Sequence, residues 1–114
     1  TLFIGVAALS ACTPEVPEHW KSMGLPLGDN VELRMGEEQS DQRLSVDHLG
    51  TSAHQKICQK YIAKLGEQGF EQNPDAESKT DAVQVIRTLE KDGKTLRLEC
   101  RDVADRAIVR LEYQ

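Results

Sequence analysis

The residues able to do chemistry in this chain are few and scattered. His54 and Cys58 stand four apart, a spacing that turns two metal ligands to one face of a helix, and His48 lies nearby in sequence. A structural zinc site takes four ligands, and no second Cys/His cluster exists in the sequence, so no metal is expected. Ser45, Asp47 and His48 have the residue types of a hydrolase triad. Neighbours on an extended strand point to opposite faces, however, so Asp47 is badly placed to orient His48, and the group reads as polar residues at a strand end. Glu37 and Glu38 read as solvated charges in a polar loop. No glycine loop suited to phosphate is present, and neither a cofactor nor catalysis is expected.

The elements around these residues follow from periodicity. Val31, Leu33 and Met35 alternate with polar residues, as do Leu44 and Val46, so residues 31–35 and 43–47 predict a hairpin or one broken strand. A helix is predicted after Gly50, with Ser52 and Gln55 as a capping box. Ala53, Ile57, Tyr61 and Leu65, with Cys58 and Ile62 beside them, form its apolar stripe. Gly66 and Gly69 offer two stopping points, with Phe70 as the apolar contact beyond the end. Residues 82–90, 95–101 and 106–113 read as a meander, and Asp92-Gly93 is a tight-turn signal between the first two. The expected fold class is α+β: a single domain, one helix packed on an antiparallel sheet, in β-α-β-β-β order.

The N-terminus has a different character. Residues 1–11 carry no charge, and their eight-residue apolar run is far short of the roughly 20 residues that span a bilayer. It fits the apolar core of a signal peptide whose start is missing. Leu9-Ser10-Ala11-Cys12 follows it and resembles the lipobox of bacterial lipoproteins. The resemblance covers only these first twelve residues. It implies cleavage before Cys12, lipidation of the Cys12 sulfur, and anchoring in a bilayer through the acyl groups. Thr13 rather than Asp after the cysteine implies sorting to the outer membrane, with the domain facing the periplasm. Residues 12–29, with Pro14, Pro17 and Pro26 plus Gly24 and Gly28, read as a tether able to reach about 50 Å when extended. Trp20 in that stretch would dock either on the domain or at the membrane interface. Residues 30–114 are then the folded domain.

Setting Cys12 aside leaves Cys58 on the helix stripe and Cys100 on the apolar face of its strand, both directed into one interface. An exported chain meets an oxidising compartment, where this pair is expected to form a disulfide; two buried free thiols are the alternative. Cys-x-x-Cys is absent, so no redox role is expected.

The net charge of −5 over 114 residues lacks the basic stripe of a nucleic-acid binder, and no nucleic acid is expected as a partner. Residues 81–114 are neutral, with seven basic and seven acidic side chains, and they place Arg97, Arg101, Arg106 and Arg110 on the sheet face away from the helix. This face would dock an acidic protein or an anionic glycan or lipid head group. Otherwise it would be neutralised internally by Glu99 and Glu112 and protect the sheet from aggregation. The function expected is a membrane-anchored lipoprotein with a non-enzymatic binding or assembly role and an envelope protein as partner. The alternative is a periplasmic inhibitor or immunity-type lipoprotein that blocks an envelope-acting enzyme through the loop at residues 36–41.

Overall fold

Alternating apolar residues on four long strands define the molecule, because each strand buries one face and must share it with its neighbours. The computed structural model describes residues 15–28, 30–50, 53–76 and 78–114. Cys12 with its lipobox-like motif, and the Ser52 cap, lie outside these. In chain order the elements are α1 (Glu18–Lys21), β1 (Val31–Leu33), β2 (Arg43–Leu49), α2 (His54–Glu67), β3 (Glu71–Gln72), β4 (Lys79–Thr80), β5 (Gln84–Lys91), β6 (Lys94–Val103) and β7 (Arg106–Tyr113). The strands form one antiparallel sheet in the order β1-β2-β7-β6-β5-β3, and the two-residue β4 also pairs with β5. The fold is a single α+β domain, as expected, with β1 and β2 as a true hairpin.

Local chemistry explains the turns. Asp92 (φ 51°) and Gly93 (φ 77°) both take the left-handed region, as a two-residue hairpin turn requires, and join β5 to β6. Of the two candidate stops for α2, Gly69 is the one used. Its φ of 99° lets Phe70 N–H reach the Leu65 carbonyl and Gly69 N–H reach the Gly66 carbonyl, both at 3.0 Å. That is a Schellman end, and Phe70 and Leu65 are both buried beside it. Gly66 stays inside the helix. At the other end Ala53 supplies no side-chain cap. Asp102 of β6 does the work from 48 residues away, accepting from His54 N–H at 3.2 Å.

Leu96, Leu98 and Cys100 of β6, Val109 and Leu111 of β7, and Val85 and Leu89 of β5 face Ile57, Cys58, Tyr61 and Leu65 of α2. Cys58 and Cys100 are joined by a disulfide with their Cα atoms 5.8 Å apart. The two lie 42 residues apart in sequence, and closing a loop of that length contributes about 4 kcal/mol in the chain-entropy account.

The domain boundary at residue 30 needs correction. Trp20, Met23 and Leu25 belong to the core, and Trp20 is 0% exposed. Its indole N–H donates to the Ser40 carbonyl at 2.6 Å, and its ring stacks on Tyr113 with centroids 5.5 Å apart. His19 completes the cluster, with Nε2 2.8 Å from the Tyr113 hydroxyl. Proline and glycine kept this stretch from forming long regular elements, but they did not keep it from packing. Among the described residues the folded body therefore starts at about Val16, and residues 16–28 are not a free tether. Residue 35 is a second departure: β1 stops at Leu33, and Met35 is 94% exposed instead of lying on the apolar face.

Trp20→Ala should lower the unfolding free energy by about 3–5 kcal/mol, the range for emptying a buried aromatic site. Urea denaturation of the full chain measures it. A change within about 0.5 kcal/mol would mean that residues 15–28 are a tether after all.

Candidate functional site

The sheet has two faces, and only one carries the helix. Register places Arg97, Glu99, Arg101, Arg106, Ile108, Arg110 and Glu112 on the other face, with Arg43, Ser45 and Asp47 of β2 and Ile86 of β5. This face is less open than a bare sheet should be: Ser45, Asp47, Ile86 and Ile108 are all buried. Long charged side chains lying flat over it provide the cover.

Those side chains are largely paired with one another. Asp47 accepts from Arg34 at 3.0 Å and from Arg106 at 2.8 Å. Glu37 takes Arg110 at 2.5 Å, Arg34 at 3.0 Å and the Ser45 hydroxyl at 3.2 Å. Arg97 pairs with Glu99 at 2.9 Å, and Arg43 with Glu112 at 3.2 Å. Of the four arginines expected to form a docking face, Arg97, Arg106 and Arg110 thus spend their charge inside the molecule. Arg101 is exposed, with no partner among the described residues. Glu99 does neutralise Arg97, but it is Glu37 and Asp47 that neutralise Arg110 and Arg106. Their sequence positions gave no hint of it, because the contacts depend on the β2–β7 register.

Glu37 also fixes the connection between β1 and β2. The Gln39 side chain takes Ser45 N–H at 2.8 Å and gives to the Ser45 carbonyl at 3.1 Å, so it stands in for a strand neighbour. With the Trp20 indole on Ser40, the loop at residues 34–42 is held from three sides. Met35 sits at its corner, beside Gly36 with φ 80°.

The candidate catalytic and metal residues are dispersed. Ser45 and Asp47 lie on the outer face and His48 on the inner one, as alternation demands. Cys58 is in the disulfide. His54 is buried, with Nδ1 2.7 Å from Asp102 Oδ2, so one carboxylate meets both its backbone and its ring. His48 Nε2 lies 2.7 Å from the Tyr61 hydroxyl, with the rings edge to face. Burial pushes the Tyr61 phenol well up and the His48 imidazole down. Lys60 adds to the His48 shift and Asp47 opposes it. Both shifts favour the neutral forms of the pair.

A groove of about 410 Å³ runs along β1, lined by Val16, Leu27, Val31, Glu32, Leu33 and Val46. Periodicity could not reveal this groove, since one of its walls comes from the stretch read as tether.

Two outcomes follow. Arg110→Ala strips Glu37 of one cation and should cost about 1–2 kcal/mol, whereas Arg101→Ala should stay within about 0.5 kcal/mol, both by urea melts. The second concerns pH. His48 is held below its ordinary 6.5 in the folded chain, so the unfolded chain takes up the proton first. Stability is then full above about pH 6.5 and falls as the pH drops below it. His48→Gln should flatten that part of the profile, as thermal melts between pH 7.5 and about 5 would record.

No family model, no curated protein and no solved structure matches this chain.

Proposed function

We propose that the chain is a small bacterial lipoprotein, held through acylated Cys12 on the periplasmic side of the outer membrane, with a non-enzymatic binding or assembly role in the envelope. The observation that carries this is Leu9-Ser10-Ala11-Cys12 directly behind a charge-free apolar run. Two features of the fold support it. The Cys58–Cys100 disulfide suits an oxidising compartment and leaves Cys12 as the odd cysteine. Val16, four Cα steps past Cys12, already packs against the core, so an anchored domain would sit within about 15 Å of its lipid. Such a domain meets its partners close to the membrane surface, where an assembly factor works. Two or more acyl chains give stable anchoring, at about 0.8 kcal/mol per buried CH₂.

One observation favours a second reading, that of an inhibitor or immunity-type lipoprotein. The loop at residues 34–42 is held firmly and displays an exposed Met35, which is how an inserting loop is built.

Intact mass of the protein extracted from membranes tests the main reading, with the chain expressed behind a restored signal start. The expected mass is that of the chain from Cys12 plus acyl groups, less two hydrogens. An unmodified Cys12, or protein confined to the soluble fraction, would remove the lipoprotein reading.

A further inference from the structure

The hairpin partner of β2 is also the edge of the sheet, and no described strand pairs with its outer side. Leu49 N–H donates to the Asn30 carbonyl at 2.8 Å, and Arg34 N–H donates to the Ser45 carbonyl at 2.9 Å. In an antiparallel ladder the backbone groups alternate between the partner strand and the opposite side. With Asn30, Glu32 and Arg34 turned to β2, Val31 and Leu33 must aim their N–H and C=O groups outward, and neither has a partner there among the described residues. The groove along β1 lies beside this edge, and the side chains of Val31, Leu33, Val16 and Leu27 line it over Val46. Met35 continues the same alternation beyond Leu33 and is exposed. An unsatisfied edge next to an apolar trough is the arrangement that strand addition uses: main-chain bonds hold the added segment and its alternate side chains fill the trough.

We infer that β1 is a docking edge for an extended segment of a partner protein, apolar at alternate positions and carrying Lys or Arg between them. The inference rests on the binding half of the proposed function and is independent of the lipid anchor. Charge selects the occupant. Glu32 lines the groove, and Glu15 precedes its wall residue Val16; both are exposed, with no cation paired to either among the described residues. Arg34, the nearest cation in sequence, is committed to Glu37 and Asp47. A second copy is a poor occupant. The antiparallel register that uses both outward-facing residues would set Glu32 against Glu32 of the second copy, and like charges directly opposite destabilise a pair. The opposite edge is less suited, since β3 and β4 are two residues each and exposed.

The test uses the full chain, labelled with ¹⁵N, and two synthetic probes: acetyl-Lys-Val-Thr-Val-Thr-Val-Lys-amide and the same peptide with Glu in place of both lysines. The lysine peptide should shift the Val31 and Leu33 amides and slow their hydrogen exchange, and the glutamate peptide should bind more weakly. Glu32→Lys, an exposed change that leaves the fold alone, should reverse the preference by about tenfold. Equal response to both peptides, no response at β1, response only at β3 and β4, or a sedimentation mass that doubles with concentration would each overturn the inference. If the lysine peptide binds β1 in a chain whose Cys12 proves unmodified, the docking edge stands and only the anchor falls.

Discussion

A single helix is too narrow for this sheet, and most of the architecture answers that mismatch. An α-helix with its side chains is about 10–12 Å across, while four long strands at about 4.8 Å spacing span about 15–20 Å. α2 lies over β6, with β5 and β7 on either side. It therefore leaves the β2 end of the apolar face, Leu44 and Val46, to be covered by something else. The N-terminal stretch provides that cover, with Trp20, Met23 and Leu25 in the core and Val16 and Leu27 packed against it. The disulfide belongs to the same arrangement. By tying α2 to the middle of β6 it fixes where the one helix sits, and so where the uncovered strip must fall.

The other face solves a related problem without a second layer. Buried isoleucines and a buried serine there would be wet on a bare sheet, and the guanidinium stems keep them dry. Holding those stems down requires anions at matching positions. Asp47 and Glu37 supply them, each meeting two arginines drawn from different parts of the chain. An ion pair at an exposed surface is worth little, but these acids are largely withdrawn from water and their removal would leave arginines facing one another. A face built this way is rich in arginine yet mostly neutral, which makes it a poor electrostatic lure despite its composition.

What could be read from the sequence divides along the range of the interactions. The Asp92-Gly93 turn, the stripe from Ile57 to Leu65 and the alternation in β5, β6 and β7 are local patterns, and each folds as its pattern requires. The Cys58–Cys100 pairing was legible because two such patterns put both sulfurs on apolar faces. Contacts set by long-range register were not legible: Asp102 on the N-terminus of α2, Arg110 on Glu37, Arg106 on Asp47. β3 and β4 are two residues long, too short for a period to show. The Trp20 stretch misled for another reason. Pro and Gly report local backbone preference, and an extended, irregular chain can still bury a tryptophan if a sheet lies within reach.

The groove along β1 is a consequence of the same mismatch. The N-terminal stretch covers the strip beyond α2 with an irregular chain, and an irregular chain does not close against a strand edge as a neighbouring strand would. Between Val16 and Leu27 on one side and Val31 and Leu33 on the other, apolar surface and unpaired backbone remain side by side. Natural sheets usually protect an edge by keeping it short or by placing charge on it. β1 has both protections, three residues and a central Glu32, and Glu32 discourages self-pairing without blocking a cationic segment. Val16 is both a wall of the groove and, among the described residues, the first that packs on the core, so the edge lies a few residues from Cys12 in sequence. An anchored molecule would hold this edge close to the bilayer, where another envelope protein's extended segment could meet it.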